Sequence, residues 1–146
     1  MSTTRKTLVI AATVAAAATT ASPAVAAPVG TPVQIVNSLD FDPETPDGFT
    51  STLEGCASGT AEDGRVSANF TPWGGTFSGE KVFVCSDGES GFVLQLSARF
   101  GDSGSVGTWT VVDSWGALEG LNASGRLVGV PTGTGLDDIY TGTRRR

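Results

Sequence analysis

The sequence predicts an all-β, antiparallel, eight-stranded barrel with almost no helix. Apolar and polar side chains alternate strictly along 92–100, which is typical of a half-buried strand because successive side chains point to opposite faces. About eight such short segments follow one another, separated by clusters of Gly, Pro, Asp and Ser. After residue 26, glycine interrupts every apolar pattern of helical period. A barrel is favoured over a sandwich because closure removes exposed strand edges.

The clearest strand lies within 89–100 and follows a second strand at 79–86. Asp87-Gly88 between them predicts a tight type I′ turn, since this turn needs the positive φ that glycine adopts freely. We therefore expect these two strands to form an antiparallel hairpin. The other predicted strands are 32–38, 49–56, 65–70, 106–113, 123–130 and 138–143.

Alternation also predicts which side chains line the barrel interior. On the 89–100 strand, one face carries Phe92, Leu94, Leu96, Ala98 and Phe100. We expect the facing strand to contribute Val82 and Val84, and a third wall to contain Trp109 and Val111. Ala98 is small among large neighbours, so any void is expected beside it. Such a void would be apolar and would favour a small hydrophobic ligand.

Residues 1–26 have the layout of a secretory signal peptide. Two basic residues precede a run of apolar and small residues at 8–18, and Ala24-Val25-Ala26 is an A-x-A cleavage pattern. The run is too short to span a bilayer, so we expect a secreted protein with no membrane span after processing. Cleavage is expected after Ala26, with cleavage after Ala27 as the alternative.

The predicted organisation after cleavage has three parts. A Pro/Asp-rich segment at 27–48 contains the first strand, 49–143 forms the barrel body, and 144–146 is a basic, solvated tail.

Composition excludes several classes of function. The chain has 15 acidic and 9 basic residues and no histidine. Removal of 1–26 takes two of those basic residues, which leaves 7 against 15 and a net charge of −8. These features exclude a histidine-dependent catalyst, a histidine metal site and a basic nucleic-acid-binding face. No cofactor is predicted.

Cys56 and Cys85 are expected to form one disulfide, because the protein is predicted to reach an oxidising compartment. They are too far apart in sequence for a C-x-x-C redox pair, and there is no histidine to complete a zinc site. Strand alternation places both sulfurs on the less apolar side, so the bridge is expected outside the core.

Three features of the sequence are candidates for a chemical site. Gly101-Asp102-Ser103-Gly104 is similar to the nucleophile loop of serine proteases, but the chain has no histidine to act as base, so a polar turn is expected. The acidic run 40–47 does not fit the EF-hand template and is expected to be a solvated loop, with a weak calcium site as the alternative. The three tryptophans, at 73, 109 and 115, are expected in core and rim packing rather than in a sugar-binding platform.

The glycine-rich C-terminal half resembles a known family. Gly107-Thr108-Trp109-Thr110-Val111-Val112, the turn 116–121 and the strand from Asn122 to Leu127 resemble secreted bacterial proteins related to the allene oxide cyclase and dirigent β-barrels. The segments 83–88, 91–100 and 137–143 resemble them as well. The resemblance implies a calycin-like barrel of eight strands with short turns. None of the family's functional residues maps onto this chain.

Three functions are compatible with these observations. The first is a secreted, non-catalytic β-barrel that binds a small apolar ligand or serves as an envelope or extracellular accessory protein. The second is a cofactor-free enzyme of the cyclase or dirigent type acting on a lipophilic substrate, with Asp113 as acid and Arg99 or Tyr140 as donors inside the lumen. The third is an extracellular interaction module or inhibitor held by its disulfide. No catalytic, cofactor-binding or metal-binding residue is assigned.

Overall fold

The computed structural model describes residues 30–40 and 47–145, and these form a closed antiparallel barrel of eight strands, as predicted. The strands are β1 (Thr31–Asp40), β2 (Asp47–Ser51), β3 (Ser58–Thr71), β4 (Gly74–Cys85), β5 (Gly91–Gly101), β6 (Gly104–Trp115), β7 (Asn122–Pro131) and β8 (Gly135–Arg145). Each strand pairs with its neighbours in sequence, and β1 pairs with β8 to close the barrel. The predicted signal peptide and its cleavage site at Ala26 lie outside the described residues.

Two boundaries differ from the prediction in the N-terminal half. β2 ends at Ser51 rather than at Cys56, and β3 begins at Ser58 rather than near residue 65. The Ser51 hydroxyl donates to the Cys56 carbonyl at 2.6 Å and accepts from the Leu53 amide at 3.1 Å. These bonds close a loop that turns Leu53 and Cys56 into the core, so the chain cannot continue as a strand there.

The predicted basic tail is partly a strand. Arg144 pairs with Thr31 on β1, and Arg145 pairs with Asn122 on β7. Both arginines therefore continue β8 instead of forming a separate tail, and of the two Arg145 is exposed to solvent, as expected, while Arg144 is half-buried. Residue 146 lies outside the described residues.

β4 and β5 form the predicted hairpin, but their turn is not of type I′. Gly88 has a φ of 71°, whereas Asp87 has no positive φ and a type I′ turn requires one at both central residues. The Asp87 carboxylate instead accepts from the amides of Glu89 and Ser90, both at 2.9 Å, and from the Ser90 hydroxyl at 2.7 Å. These bonds, led by the Ser90 hydroxyl, lower the pKa of Asp87 below its ordinary value.

Aromatic rings fill one end of the lumen. Phe83 stacks on Phe92 with ring centroids 4.8 Å apart and packs edge-on against Phe49 at 5.1 Å and Tyr140 at 5.9 Å. Trp109 packs edge-on against Tyr140 at 6.4 Å. Aromatic pairs in this geometry contribute beyond the area they bury, so this cluster forms the solid part of the core.

A short 3-10 helix, Gly116–Leu118, covers the same end of the barrel. Its first residue, Gly116, has a φ of 64°, which glycine adopts without strain. The Ala117 amide donates to the Ser90 hydroxyl at 3.0 Å, which ties the helix to the β4–β5 loop. Leu118 and Leu121 are buried, as expected of residues that close a barrel end.

The inward face of β4 is opposite to the predicted one. Lys81, Phe83 and Cys85 are buried, so Val82 and Val84 lie on the outer face, where they are half-buried. Their assignment to the lumen is wrong. The phenyl ring of Phe83 is the larger apolar group to bury, and β-branched valines suit the outer surface of a sheet.

The disulfide between Cys56 and Cys85 is confirmed, but its predicted position is not. Cys56 is 2% exposed and Cys85 is 3% exposed, so the bridge lies in the core beside Phe83. Its location follows from the face of β4 that points inward, which is the opposite of the face that the sequence predicts.

On β5 and β6, the residues that the sequence predicts to line the lumen do lie on the interior side of the barrel. Phe92, Leu94, Leu96, Ala98 and Trp109 are buried, while Val111 is half-buried against the same cluster. Phe100 is half-buried at the open end. The Trp109 indole donates to the Arg126 carbonyl at 3.0 Å, so its polar group has a partner.

Helical structure is scarce in this fold. Across the described ranges, no helix is long and apolar enough to cross a membrane.

Candidate functional site

A cavity of about 180 Å³ occupies the end of the lumen opposite the aromatic cluster. The sequence predicts a void beside Ala98, and Ala98 lies in the wall of this cavity. The apolar residues that line it are Leu39, Phe77, Leu96, Ala98, Phe100, Leu127 and Leu136. They come from five strands, because each strand turns alternate side chains toward the lumen.

Polar side chains also line the cavity, and sequence reasoning missed them. They are Asp63 on β3, Lys81 on β4, Ser105 on β6 and Asp138 on β8. Lys81 alternates in phase with Phe83 and Cys85, and it is the one lysine left after the predicted cleavage. These two facts were the available signal for a lysine inside the barrel. Asp138 likewise alternates in phase with Tyr140.

Lys81 is buried with its charge compensated. Its ammonium lies 3.0 Å from an oxygen of Asp63 and 3.7 Å from an oxygen of Asp47. The Lys81 side chain is 3% exposed, whereas that of Asp63 is 55% exposed. The ammonium is therefore held inside by carboxylates that stay in contact with water, which lowers the cost of burying it.

Asp138 differs from Lys81, because the negative charge of its carboxylate is poorly compensated by neighbouring groups. Burial raises the pKa of this carboxyl above its ordinary value, although the charge of Lys81 acts in the other direction. The Tyr140 hydroxyl donates to its Oδ2 at 3.4 Å. Burial and the nearby carboxylate likewise raise the pKa of the Tyr140 phenol, so Tyr140 remains a hydrogen-bond donor.

The second oxygen of Asp138, Oδ1, accepts no hydrogen bond of good geometry among the described residues, although the Ser105 hydroxyl lies close enough to lower the pKa of this carboxyl. This oxygen lies over the backbone of Gly129, where a Cβ atom would be 2.7 Å from Oδ1 and closer still to the Ser105 hydroxyl, so a larger residue at 129 would have to displace these side chains. Buried polar atoms in proteins are nearly always paired. An unpaired oxygen of a cavity residue is therefore a candidate contact for a ligand.

Asn37 extends this polar region away from the cavity wall. It is the direct cross-strand partner of Asp138 on β1, and it is fully buried. Neither its amide oxygen nor its amide nitrogen has a partner within 30–40 and 47–145. We call Asn37, Asp63, Lys81, Ser105 and Asp138 the polar floor of the lumen. The polar floor contains more hydrogen-bonding capacity than its own residues use.

An apolar shelf continues from the mouth of the cavity. Ala68 pairs with Phe77, a cavity residue, so Val66, Ala68 and Phe70 share the face that Phe77 occupies. Phe70 packs against Phe100, another cavity residue, with centroids 5.5 Å apart. Phe70 is nevertheless 74% exposed. We call Val66, Ala68 and Phe70 the apolar shelf.

The residues proposed for an enzyme do not come together. Asp113 and Arg99 are exposed on the outside of the barrel, and only Tyr140 lies in the lumen. The acid that accompanies Tyr140 is Asp138. The predicted lumenal role of Asp113 and Arg99 is therefore wrong.

The other predicted sites have separate outcomes. Most of the acidic run 40–47 lies outside the described residues, and Asp47 at its end contacts Lys81. The described ranges contain no cluster of three or more acidic or cysteine side chains that could hold a metal.

Of the tryptophans, Trp109 is in the core, Trp115 is half-buried and Trp73 is 87% exposed at the β3–β4 turn.

Comparison of the chain with family models, with curated proteins and with solved structures gave no match. The cavity and its residues are therefore the features of this protein that bear on its function.

Proposed function

We propose that this protein is a secreted, non-catalytic β-barrel that binds a small, mainly apolar ligand in its lumen. The observation that carries the proposal is the cavity of about 180 Å³ between Phe77, Ala98 and Phe100. Ligand sites in proteins are typically apolar concavities with a few convergent polar groups, and this cavity has that composition.

The size of the cavity limits the size of the ligand. A cavity of about 150 Å³ with apolar walls holds benzene. The present cavity thus matches one small ring or a short alkyl chain, and the apolar shelf offers Val66 and Phe70 to any part that extends beyond it.

Secretion remains part of the proposal. The A-x-A pattern ending at Ala26 supports export, and the bridge between Cys56 and Cys85 suits an oxidising compartment. Kinship with the allene oxide cyclase and dirigent-like barrels is also a proposal. It is supported by the agreement between the observed eight-stranded barrel and the fold that the resemblance implies.

The test is titration of the protein with toluene, followed by 15N–1H NMR. We expect shifts in wild type at cavity residues such as Leu96 and Ala98. Ala98→Leu should abolish them, because the added isopropyl group occupies space in the cavity that the toluene ring needs. The matched control is Ser97→Leu, which places the same side chain on the outer face of β5 and should leave toluene binding intact.

Ala98→Leu has a second readout in stability. If the cavity accepts the larger side chain, stability changes little; overpacking of a filled space costs about 1–3 kcal/mol. A wild type that shows no toluene-induced shifts, together with a destabilised Ala98→Leu, contradicts ligand binding and favours the extracellular interaction module.

A second candidate function is a cofactor-free enzyme of the cyclase or dirigent type, and one observation favours it. Asp138 is a carboxyl with a raised pKa in the wall of an apolar cavity, the setting in which general acids and bases are found. Ligand extracted from the loaded protein and analysed by mass spectrometry separates the two functions. Recovery of unchanged ligand supports a binding protein, whereas conversion that disappears in Asp138→Asn supports an enzyme.

A further inference from the structure

The polar floor of the cavity specifies the head group of the ligand. Lys81 and Asp138 lie in the same cavity wall, yet their hydrogen-bonding states differ. The Lys81 ammonium already contacts carboxylates of Asp63 and Asp47 at 3.0 and 3.7 Å. Asp138, which is nine-tenths buried, has an oxygen that accepts no hydrogen bond of good geometry in the described part of the chain. Any head group in this cavity therefore meets an unsatisfied acceptor rather than a free cation.

The charge of the floor disfavours an anionic head. Within the described residues, one ammonium, that of Lys81, faces the carboxyls of Asp47, Asp63 and Asp138. A ligand carboxylate would add a further negative charge beside Asp138, which is itself nine-tenths buried. Like charges at short range in such surroundings repel strongly.

We infer that the cavity takes a small amphiphile whose head group, a hydroxyl or an amine, donates a hydrogen bond to Asp138 while its apolar body lies along Phe77, Ala98 and Phe100. This inference rests on the proposed function. The donor satisfies Oδ1, and the body replaces water along an apolar wall. A fatty acid of the same length is the compound that the site rejects.

The position of Oδ1 supports this orientation. It lies over Gly129 next to the Ser105 hydroxyl, which also lines the cavity. Ser105 both donates and accepts, so it can accompany a ligand hydroxyl in either orientation. The remaining chain of an octyl compound would leave the cavity beside Phe100 and reach Phe70 on the apolar shelf, since these two rings are in contact.

The experiment compares three ligands with one apolar body and different heads: 1-octanol, octylamine and octanoate. Each is titrated at pH 7 into wild type, Asp138→Leu and Asp137→Leu, with 15N–1H NMR at the cavity residues. Asp137 is the neighbour of Asp138 on the outer face of β8, so its substitution is the matched control.

In wild type we expect the Kd of 1-octanol or of octylamine to be at least about tenfold lower than that of octanoate, a difference of about 1.4 kcal/mol. In Asp138→Leu the preference should disappear, while octyl compounds still bind through the apolar wall. Asp137→Leu should retain the wild-type preference. Comparison of the Kd of 1-octanol with that of octylamine shows whether the site prefers a neutral donor or a charged one.

Asp138→Asn provides a second test that does not depend on the folding of Asp138→Leu. The amide has nearly the same shape, carries no negative charge and donates hydrogen bonds, so octanoate affinity should rise severalfold. If octanoate binds wild type as tightly as both 1-octanol and octylamine, or if the preference survives in Asp138→Leu, the inference is wrong while the proposed function stands. If wild type binds neither toluene nor any octyl compound, the proposed function itself is wrong.

Discussion

Lys81 and Asp63 are direct cross-strand partners on β4 and β3, and the ammonium of Lys81 lies 3.0 Å from Asp63 Oδ1 inside the barrel. The lysine side chain is 3% exposed, and the aspartate is 55% exposed. The pair therefore crosses the boundary between the lumen and solvent. It also supplies a positive charge in the cavity wall that acts on Asp138.

We predict that Lys81→Met destabilises the protein by about 1.5–3 kcal/mol, the range for loss of a hydrogen bond to a charged group. The loss arises because Asp63 and Asp47 lose their shared cation. The measurement is urea unfolding. The control is Arg65→Met, which breaks an exposed pair with Glu80 and should cost less than about 1 kcal/mol. Equal losses in the two variants would contradict a special role for the buried lysine.

A second prediction concerns pH and Asp138. Burial raises its pKa in the folded protein above the ordinary value of 3.8, so between these two pKa values the folded state retains a proton that the unfolded chain releases. Its ionisation therefore costs no stability below about pH 3.8, and the cost grows as the pH rises toward the folded-state pKa.

Asp138→Asn removes this ionisation. We expect the free energy of unfolding of Asp138→Asn, minus that of wild type, to increase as the pH rises from 4 to 8. Using the difference between the two proteins cancels the titration of residues that they share. Urea unfolding at a series of pH values measures it. A constant difference would show that the pKa of Asp138 is not perturbed, and a difference that falls with rising pH would show that it is lowered; either result contradicts the prediction.

The disulfide gives a third prediction. Cys56 and Cys85 are 29 residues apart in sequence, and replacing both by alanine should cost about 3–4 kcal/mol on the chain-entropy estimate. Because both residues are buried, dithiothreitol should reduce the bridge slowly in native buffer and quickly in urea. Alkylation of released thiols, followed by mass spectrometry, measures the rates. Equally rapid reduction in both conditions would indicate an exposed bridge.

The fourth prediction concerns processing. Mass spectrometry of the exported protein should show the loss of the first 26 or 27 residues, as the A-x-A pattern ending at Ala26 predicts. It should also show the loss of two hydrogens at the disulfide. Recovery of a full-length chain with two alkylatable thiols would refute both expectations.

The sequence alone determined the all-β class, the number of strands and most of the strand positions. The alternation along 92–100 and the turn residues after Cys85 are local signals, and local signals are sufficient to identify a hairpin. The small side chain of Ala98 among large neighbours also located the cavity. Each of these features depends on residues close together in the chain.

Only the tertiary structure decided which face of β4 is buried. Alternation shows that a strand has two different faces, but a shift of one residue exchanges them, and Val82 and Val84 had an apolar face as convincing as that of Phe83 and Cys85. Lys81 is tolerated inside because Asp63 and Asp47 reach it from other strands. Asp138 joins the same cavity from β8 only when β8 pairs with β1 and closes the barrel. The polar floor is therefore a product of long-range closure, since its members become neighbours through pairing and not through their spacing in the chain.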